Sequence, residues 1–509
     1  MTDTDRTDVL IVGSGIMGAI VARSLRERDA NARIVMVDGG RPIGETPGLH
    51  LHDVPDPVLW ERYNERVSSG IQGMYTGAEV VREVAADART LTPGMFHALA
   101  LGEDAEAMPA SALAWNAGGM GVHWTAATPW PAGVETFATE GPEEWEADLS
   151  AARAALGVTP EPFPPTAAGA IVLDALRELF PSTGSADRRP QPMPMAVRRT
   201  PEGARVRTAP ATIFPPIGGA PDPVFSLLTS TLAVRILTDA DTGRAAGVRV
   251  RDVESGEETD LFADAVVVCA DAVRTPQLLF ASGIRPEALG RYLNEHAFLT
   301  GRVLMDLDAA GLTLADLPRQ EEGEFCTDSL WLPHDGEDQP LHGQIMNTTY
   351  TDAAGAPLAH SVGVSLYTPV ESRRENRLAF SETEVDVFGM PRISFDFSYS
   401  DRDRAHIALA RQQLQRIAER LGPFDPQTES LLLPPGSSLH LTGTVRSGEA
   451  DDGTSVCDPD GRVWGWQNLF VAGTGVVPTP LVANATLTGA ITAVRAARAL
   501  SRLTAPVAL

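Results

Sequence analysis

The chain has 509 residues, 41 of them basic and 67 acidic, for a formal net charge of −26. That carboxylate surplus repels nucleic acid and anionic membrane and suits a small neutral or cationic partner. Every basic residue is arginine, which excludes Schiff-base chemistry through a lysine.

The opening MTDTDRTD runs straight into a strand, with no basic segment leading into an apolar one, and no apolar run reaches the ~18 residues of a membrane span. A cytoplasmic protein is expected. "DVLIVGSGIMGAIVARSLRE" reads as a buried-type strand, a glycine turn and a helix with apolar Ile16, Ile20, Val21 and Leu25. "ARIVMVDGG" supplies the second strand of a βαβ unit. The turn carries Gly13, Gly15 and Gly18, a GxGxxG. Its first glycine makes the turn, its second lets a pyrophosphate approach the helix N-terminus, and its third packs helix on strand. Asp38, at the end of the second strand, is placed to hold a ribose hydroxyl. The motif predicts a dinucleotide and does not by itself separate FAD from NAD.

Residues 41–110, rich in Pro and Gly, read as loops and short helices with no long apolar arm. "AWNAGGMGVHWTAATPW" follows, where Gly118, Gly119 and Gly121 clear side chains from the backbone so that something flat can lie against it. His123 there either touches that object or is a histidine satisfied by the backbone. Pro160, Pro162, Pro164 and Pro165, and the stretch from Arg189 to Pro194, read as surface connections. Strands return in "VFSLLTS", "LAVRILTD", "AAGVRVRDV" and "ADAVVVCA", followed by the helix "TPQLLFAS".

From 300 to 430 the texture changes to long alternating strands such as "RISFDFSYS" and an amphipathic helix from Arg404 to Leu421. His440 lies in "PPGSSLHLTGTVRSG", which alternates like a strand and where a histidine is more often structural than a base. "WQNLFVAGTGVVPTP" returns to the first texture and leads into a closing helix from about Thr486 to Leu503, with Asn484, Thr486 and Thr488 as candidate caps. The cysteines, Cys269, Cys326 and Cys457, are far apart with no CxxC, which argues against a disulfide framework or a zinc site; no metal is expected.

Taken together, "VLIVGSGIMGAIVA", "AVVVCADAVRTPQLLFASGI", "LHLTGTVRSG" and "NLFVAGTGVVPTPLVANATLTGA" resemble the glucose–methanol–choline (GMC) oxidoreductases over nearly the whole chain. Asp271 and Arg285 depart from the family's second signature. "GGMGVHWTAATPW", "RENRLAFSETEVDVFGMPRISFDFSYS" and "SVCDPDGRVWGWQNLF" resemble the pyranose 2-oxidase branch, which includes bacterial glycoside oxidases. The resemblance implies an α/β fold: a Rossmann-like FAD-binding domain assembled from 1–155, 200–300 and 430–509, interleaved with an α+β substrate-binding domain of 156–199 and 301–429 with an antiparallel sheet.

It also implies His440 as catalytic base and Asn484 as its partner. The residues it sets around FAD are Gly13, Gly15, Gly18, Asp38, Gly39, Gly118, Gly119, Met120, His123, Trp124, Thr125, Ala126, Val234, Ala270, Gly473 and Thr486. Gly121 and Val122 precede His123 where the fungal enzymes have Ser and Thr, so FAD is expected without a covalent bond, with a bond to His123 as the alternative. The implied reaction is oxidation of a secondary hydroxyl of a sugar or glycoside, at C3 of glycosides (C-glycosides included), with O2 reduced to hydrogen peroxide.

Alternatives are oxidation of free glucose at C2, a quinone acceptor, and a lyase of the same fold with structural FAD. A monomer or dimer is expected rather than a tetramer, and no nucleic-acid or membrane partner. As the base, His440 should lose its charge near working pH, so that flavin reduction rises with pH along a single-proton curve.

Overall fold

The strand Glu258–Val268 belongs to two ladders at once. Its first half pairs antiparallel with Arg244–Asp252, and its second half runs parallel between Arg6–Val12 and Leu469–Val471. The computed structural model describes residues 6–59, 61, 73, 79–80, 82–137, 141–182, 185–239, 242–321, 324 and 326–504. Phe225–Leu228, Ile34–Val37 and Arg6–Val12 extend the parallel part, and Thr231–Asp239 closes the antiparallel meander, giving a seven-stranded sheet. The central strands are continuous apolar runs because both of their faces are covered. Val9 and Ile11 point into one core, with the helices Ile16–Arg28 and Thr486–Thr504, while Leu10 and Val12 point into another, with the helix Asp271–Ala281.

A second sheet is antiparallel throughout, in the order Ser430–Leu432, Ala297–Leu304, Pro357–Thr368, His342–Thr351, Asp328–Leu332 and Gln191–Pro192. One face carries Leu299, Val303, Ile345, Val364 and Leu366 against the helices Asp401–Leu421 and Ala167–Leu179. The other face aligns Phe298, Tyr367 and His342 in one row and Thr300, Ser365, Gln344 and Trp331 in the next.

Several expectations are corrected. Boundaries at 300/301 and 429/430 cut the second sheet, because Ala297–Leu304 and Ser430–Leu432 are both strands of it. The expected loops and short helices of 41–110 also hold the strand Gly94–His97, paired with Ala112–Trp115; 60, 62–72, 74–78 and 81 lie outside the described residues, and with them part of the stretch read as lacking an apolar arm. The Arg189–Pro194 connection is no surface loop: Gln191 and Pro192 pair with Trp331 and Leu330, and Met193 is buried. His440 sits in a loop rather than a strand, since Gly436 at φ +95° and Leu439 at φ +60° are left-handed and break an extended run. Among the described residues, no helix is long and apolar enough to cross a membrane.

Candidate active site

The first βα turn opens on a cavity. Gly13 takes φ +101°, and a Cβ there would meet Cys269 O at 2.5 Å; one at Gly18 would meet Gly13 O at 2.1 Å, so helix and strand touch through bare backbone. A Cβ at Gly15 comes no closer than 3.7 Å to any atom, so open space lies in front of a helix whose N-cap offers no side chain to its amides. Free amides beside open space form a cradle for a pyrophosphate. Asp38 lines the same cavity. Its carboxylate accepts hydrogen bonds from Ser14 N (2.9 Å), Ser14 Oγ (2.7 Å) and Gly40 N (2.9 Å), and burial raises its pKa.

Gly13, Gly15, Asp38, Gly39, Gly119, Met120, Trp124, Ala270, Gly473 and Thr486 all line this cavity, with His440 at its edge. The lining fits an extended dinucleotide such as FAD: the amides of the first turn would hold its phosphates, and Asp38 would accept a ribose hydroxyl. Gly18 and Gly118 lie behind the wall. Gly118, at φ +90°, donates its N–H to Ser14 Oγ (2.9 Å), and a Cβ there would meet Gly48 Cα at 2.8 Å.

Four expected cofactor residues are placed elsewhere. Val234 is buried in the core while Leu232 and Ala233 line the cavity. Ala126 is fully buried with its carbonyl bonded to Ala196 N, and Thr125 is exposed outside the lining. His123 is also outside the lining, with Nε2 2.7 Å from Asn116 Oδ1. Asp271 stands at φ +60°, a conformation that Asp tolerates better than most residues, and its carboxylate accepts the N–H groups of Val273 and Arg274.

Asn484 does not cap the closing helix. Its Nδ2 donates to His440 Nε2 (3.2 Å) and its Oδ1 accepts from His342 Nε2 (3.1 Å). Trp331 Nε1 in turn donates to His342 Nδ1 (2.9 Å). Three rings crowd His440: His296 with centroids at 5.2 Å, Tyr367 at 5.6 Å, and His342, itself 5.4 Å from Tyr367. Burial, then the neighbouring His296 and His342, hold His440 well below the usual imidazole range; burial and then the neighbouring His296 take His342 to about 3, and burial takes His296 to about 4 against opposing backbone hydrogen bonds. His440 is therefore held neutral at and above pH 6.5, where the sequence leads one to expect it to be losing its charge.

Two buried carboxylates, absent from the sequence reading, fix the loops that carry this pair. Glu295 accepts from Gly436 N (2.9 Å) and the Ser438 hydroxyl, and Ser438 Oγ accepts from His440 N (3.2 Å). Glu135, 1% exposed, holds the loop before Asn484. Ser14, His342, His296 and Trp331 were likewise missed. Only Ser14, inside the GxGxxG, had a local signal.

A family model described as GMC oxidoreductase matches residues 124–298 and 372–493. The chain is 40% identical to a C-glycoside 3-oxidase of Microbacterium trichothecenolyticum, over 97% of this chain and 96% of that protein. It is 38% identical to a C-glycoside 3-oxidase of Arthrobacter globiformis, over 96% and 94%. A pyranose 2-oxidase of Emericella nidulans is 26% identical over 98% and 92%. The fold is similar to the crystal structure of pyridoxine 4-oxidase from Mesorbium loti, with a TM-score of 0.63 over 97% of this chain and 99% of that one, at 17% identity.

Proposed function

The chain belongs to the GMC oxidoreductase family, and from that premise we propose that it oxidises the C3 hydroxyl of glucopyranosyl glycosides, C-glycosides included, to a ketone. One observation carries the reading: a neutral histidine that lines the dinucleotide cavity and an oriented amide meet at 3.2 Å. The choice of C3 over C2 is supported by the higher identity to C-glycoside 3-oxidases than to a pyranose 2-oxidase.

FAD, which the family implies and the cradle fits, supplies the redox chemistry by taking up the two electrons that leave the alcohol carbon. His440 Nε2 takes the hydroxyl proton. Asn484 Nδ2 donates to the same oxygen, holding it against the base while negative charge gathers there. The crowd of His296, Tyr367 and His342 excludes water and keeps His440 a free base. O2 is the final acceptor in this reading, yielding hydrogen peroxide.

The proposal extends to FAD held without a covalent bond. His123 lies outside the cavity lining and its Nε2 is engaged by Asn116 Oδ1 rather than turned to the cavity. It also includes the division into cofactor and substrate domains, a monomer or dimer, and a cytoplasmic site, with which three free, buried thiols agree.

The test is anaerobic addition of aryl C-glucosides, O-glucosides and glucose while flavin absorbance is followed, with the product identified by NMR. Bleaching by a glucoside with a 3-keto product supports the reading. A 2-keto product overturns the regiochemistry, and no bleaching by any sugar overturns the oxidase.

A further inference from the structure

Three buried groups, Trp331, His342 and Asn484, lead in a line to His440, and every donor in it has one direction. Trp331 Nε1 is a donor only, so His342 Nδ1 must be the acceptor. A neutral imidazole that accepts at Nδ1 carries its proton on Nε2, and His342, pushed to about 3 by burial, is neutral. That proton faces Asn484 Oδ1 at 3.1 Å. The amide is thereby committed: its oxygen is taken on the His342 side, and its NH2 group is turned toward His440 Nε2. Indole, imidazole and amide come from three different segments, and His342 and Trp331 are each no more than 1% exposed, so water cannot replace a missing donor.

We propose that His342 is the positioning residue of the active site, with Trp331 fixing its tautomer, and that its role is to hold the Asn484 amide with nitrogen toward the substrate oxygen. The inference rests on the reading of His440 and Asn484 as the reacting pair. Its chemical content is electrostatic. An amide turned the other way would set a carbonyl oxygen against the substrate oxygen as that oxygen sheds its proton. The field at the reacting atom would then change from attractive to repulsive, with no change in shape. Without the His342 donor, Asn484 is free to make that turn. Substrate binding, which involves many hydroxyls, depends little on which end of one amide faces the reacting oxygen. The rate of oxidation depends on it directly.

The test is a double-mutant cycle on the FAD-loaded protein, reading anaerobic flavin reduction by an aryl C-glucoside. His342→Leu should lower the limiting rate about 10-fold or more with KM changed less than about 3-fold, since a lost oriented donor costs that order or above. In an Asn484→Ala background the same substitution should cost less than about 2-fold, because the amide through which it acts is gone. His342→Gln, which keeps an N–H donor, should recover most of the rate. Trp331→Phe carried through the same cycle gives the answer if His342→Leu does not fold.

A direct readout is the 15N spectrum of the His342 imidazole, which should show the proton on Nε2 in wild type. Equal losses in both backgrounds, or a proton on Nδ1, overturn the proposal. If no sugar reduces the wild-type flavin, the functional reading fails, and the 15N measurement still decides the relay.

Discussion

Glu135 and Ala483 are joined by a hydrogen bond from the Ala483 N–H to Glu135 Oε1 at 2.9 Å, and the same oxygen accepts Val482 N at 2.7 Å. The other oxygen accepts Ala132 N at 3.0 Å, so one buried carboxylate ties two loops together immediately before Asn484. Replacing Glu135 with Gln puts an NH2 group where an acceptor is needed. The expected cost is about 1–3 kcal/mol of stability, measured by denaturant unfolding, because it leaves a buried N–H unpaired. Flavin reduction should slow as well while FAD remains bound, because Asn484 loses its support rather than the cofactor its cradle.

His440→Ala should slow sugar-dependent flavin reduction at least ~10²-fold and leave FAD in place, since general-base catalysis is worth ~10²–10⁴-fold. Asn484→Ala should cost less, because the base itself remains when only the orienting amide is removed. Stopped-flow reduction of both variants decides this, and an unchanged rate in His440→Ala would remove the base assignment.

The pH profile follows from the direction of the His440 shift. Its pKa lies well below 6.5, so the base form is present at all pH values above the acid range. The reductive rate should be level from about pH 6 upward and fall only on acidification. A half-maximal point near 6.5 would show that His440 is more solvated than its surroundings imply.

Stability should respond to Glu295 with the opposite sign. Burial raises its pKa from 4.5 to about 7, so the folded state binds a proton that the unfolded state releases. The associated stability is complete below about 4.5 and is lost as pH rises through 7, on the order of 3 kcal/mol. His296 and His342, with folded values of about 4 and 3, act the other way and withdraw stability as pH falls below about 6.5. Glu295→Gln should therefore flatten the thermal midpoint between pH 5 and 8 while leaving the acid limb intact.

Because His123 stands outside the cavity lining with Nε2 held by Asn116, acid precipitation should release all the flavin into the supernatant. A His123 peptide heavier by one flavin mass would contradict it.

The βαβ unit was legible because its determinants are local: an apolar run, three glycines and a carboxylate within one short stretch. His440 and Asn484 were reached through resemblance, since nothing nearby in sequence marks either as reactive. The loop around His440 was misread because Leu439 and Leu441 alternate with polar residues as a strand does, while the left-handed turn at Leu439 depends on Glu295 from a distant segment. Glu135, Glu295 and His342 escaped notice for one physical reason. A charged or imidazole side chain has its surface as the default setting, and only the assembled chain shows which backbone amides or rings surround it. Val234 was misplaced because the cavity wall ends with Leu232 and Ala233, and the next residue of the strand belongs wholly to the core.

The double role of Glu258–Val268 sets an order on biosynthesis. Its antiparallel half pairs with Arg244–Asp252, immediately upstream, and can zip up as soon as that hairpin leaves the ribosome. Its parallel half needs Arg6–Val12 from the far N-terminal side and Leu469–Val471 from near the other end, so Val266, Val267 and Val268 keep one open edge until almost the whole chain has been made. Loop-closure entropy makes such long-range parallel pairing slow, and an unpaired apolar edge invites association with other chains. The segment in greatest need of shelter during synthesis is thus the one that leads directly into Cys269 and Ala270 of the cavity wall.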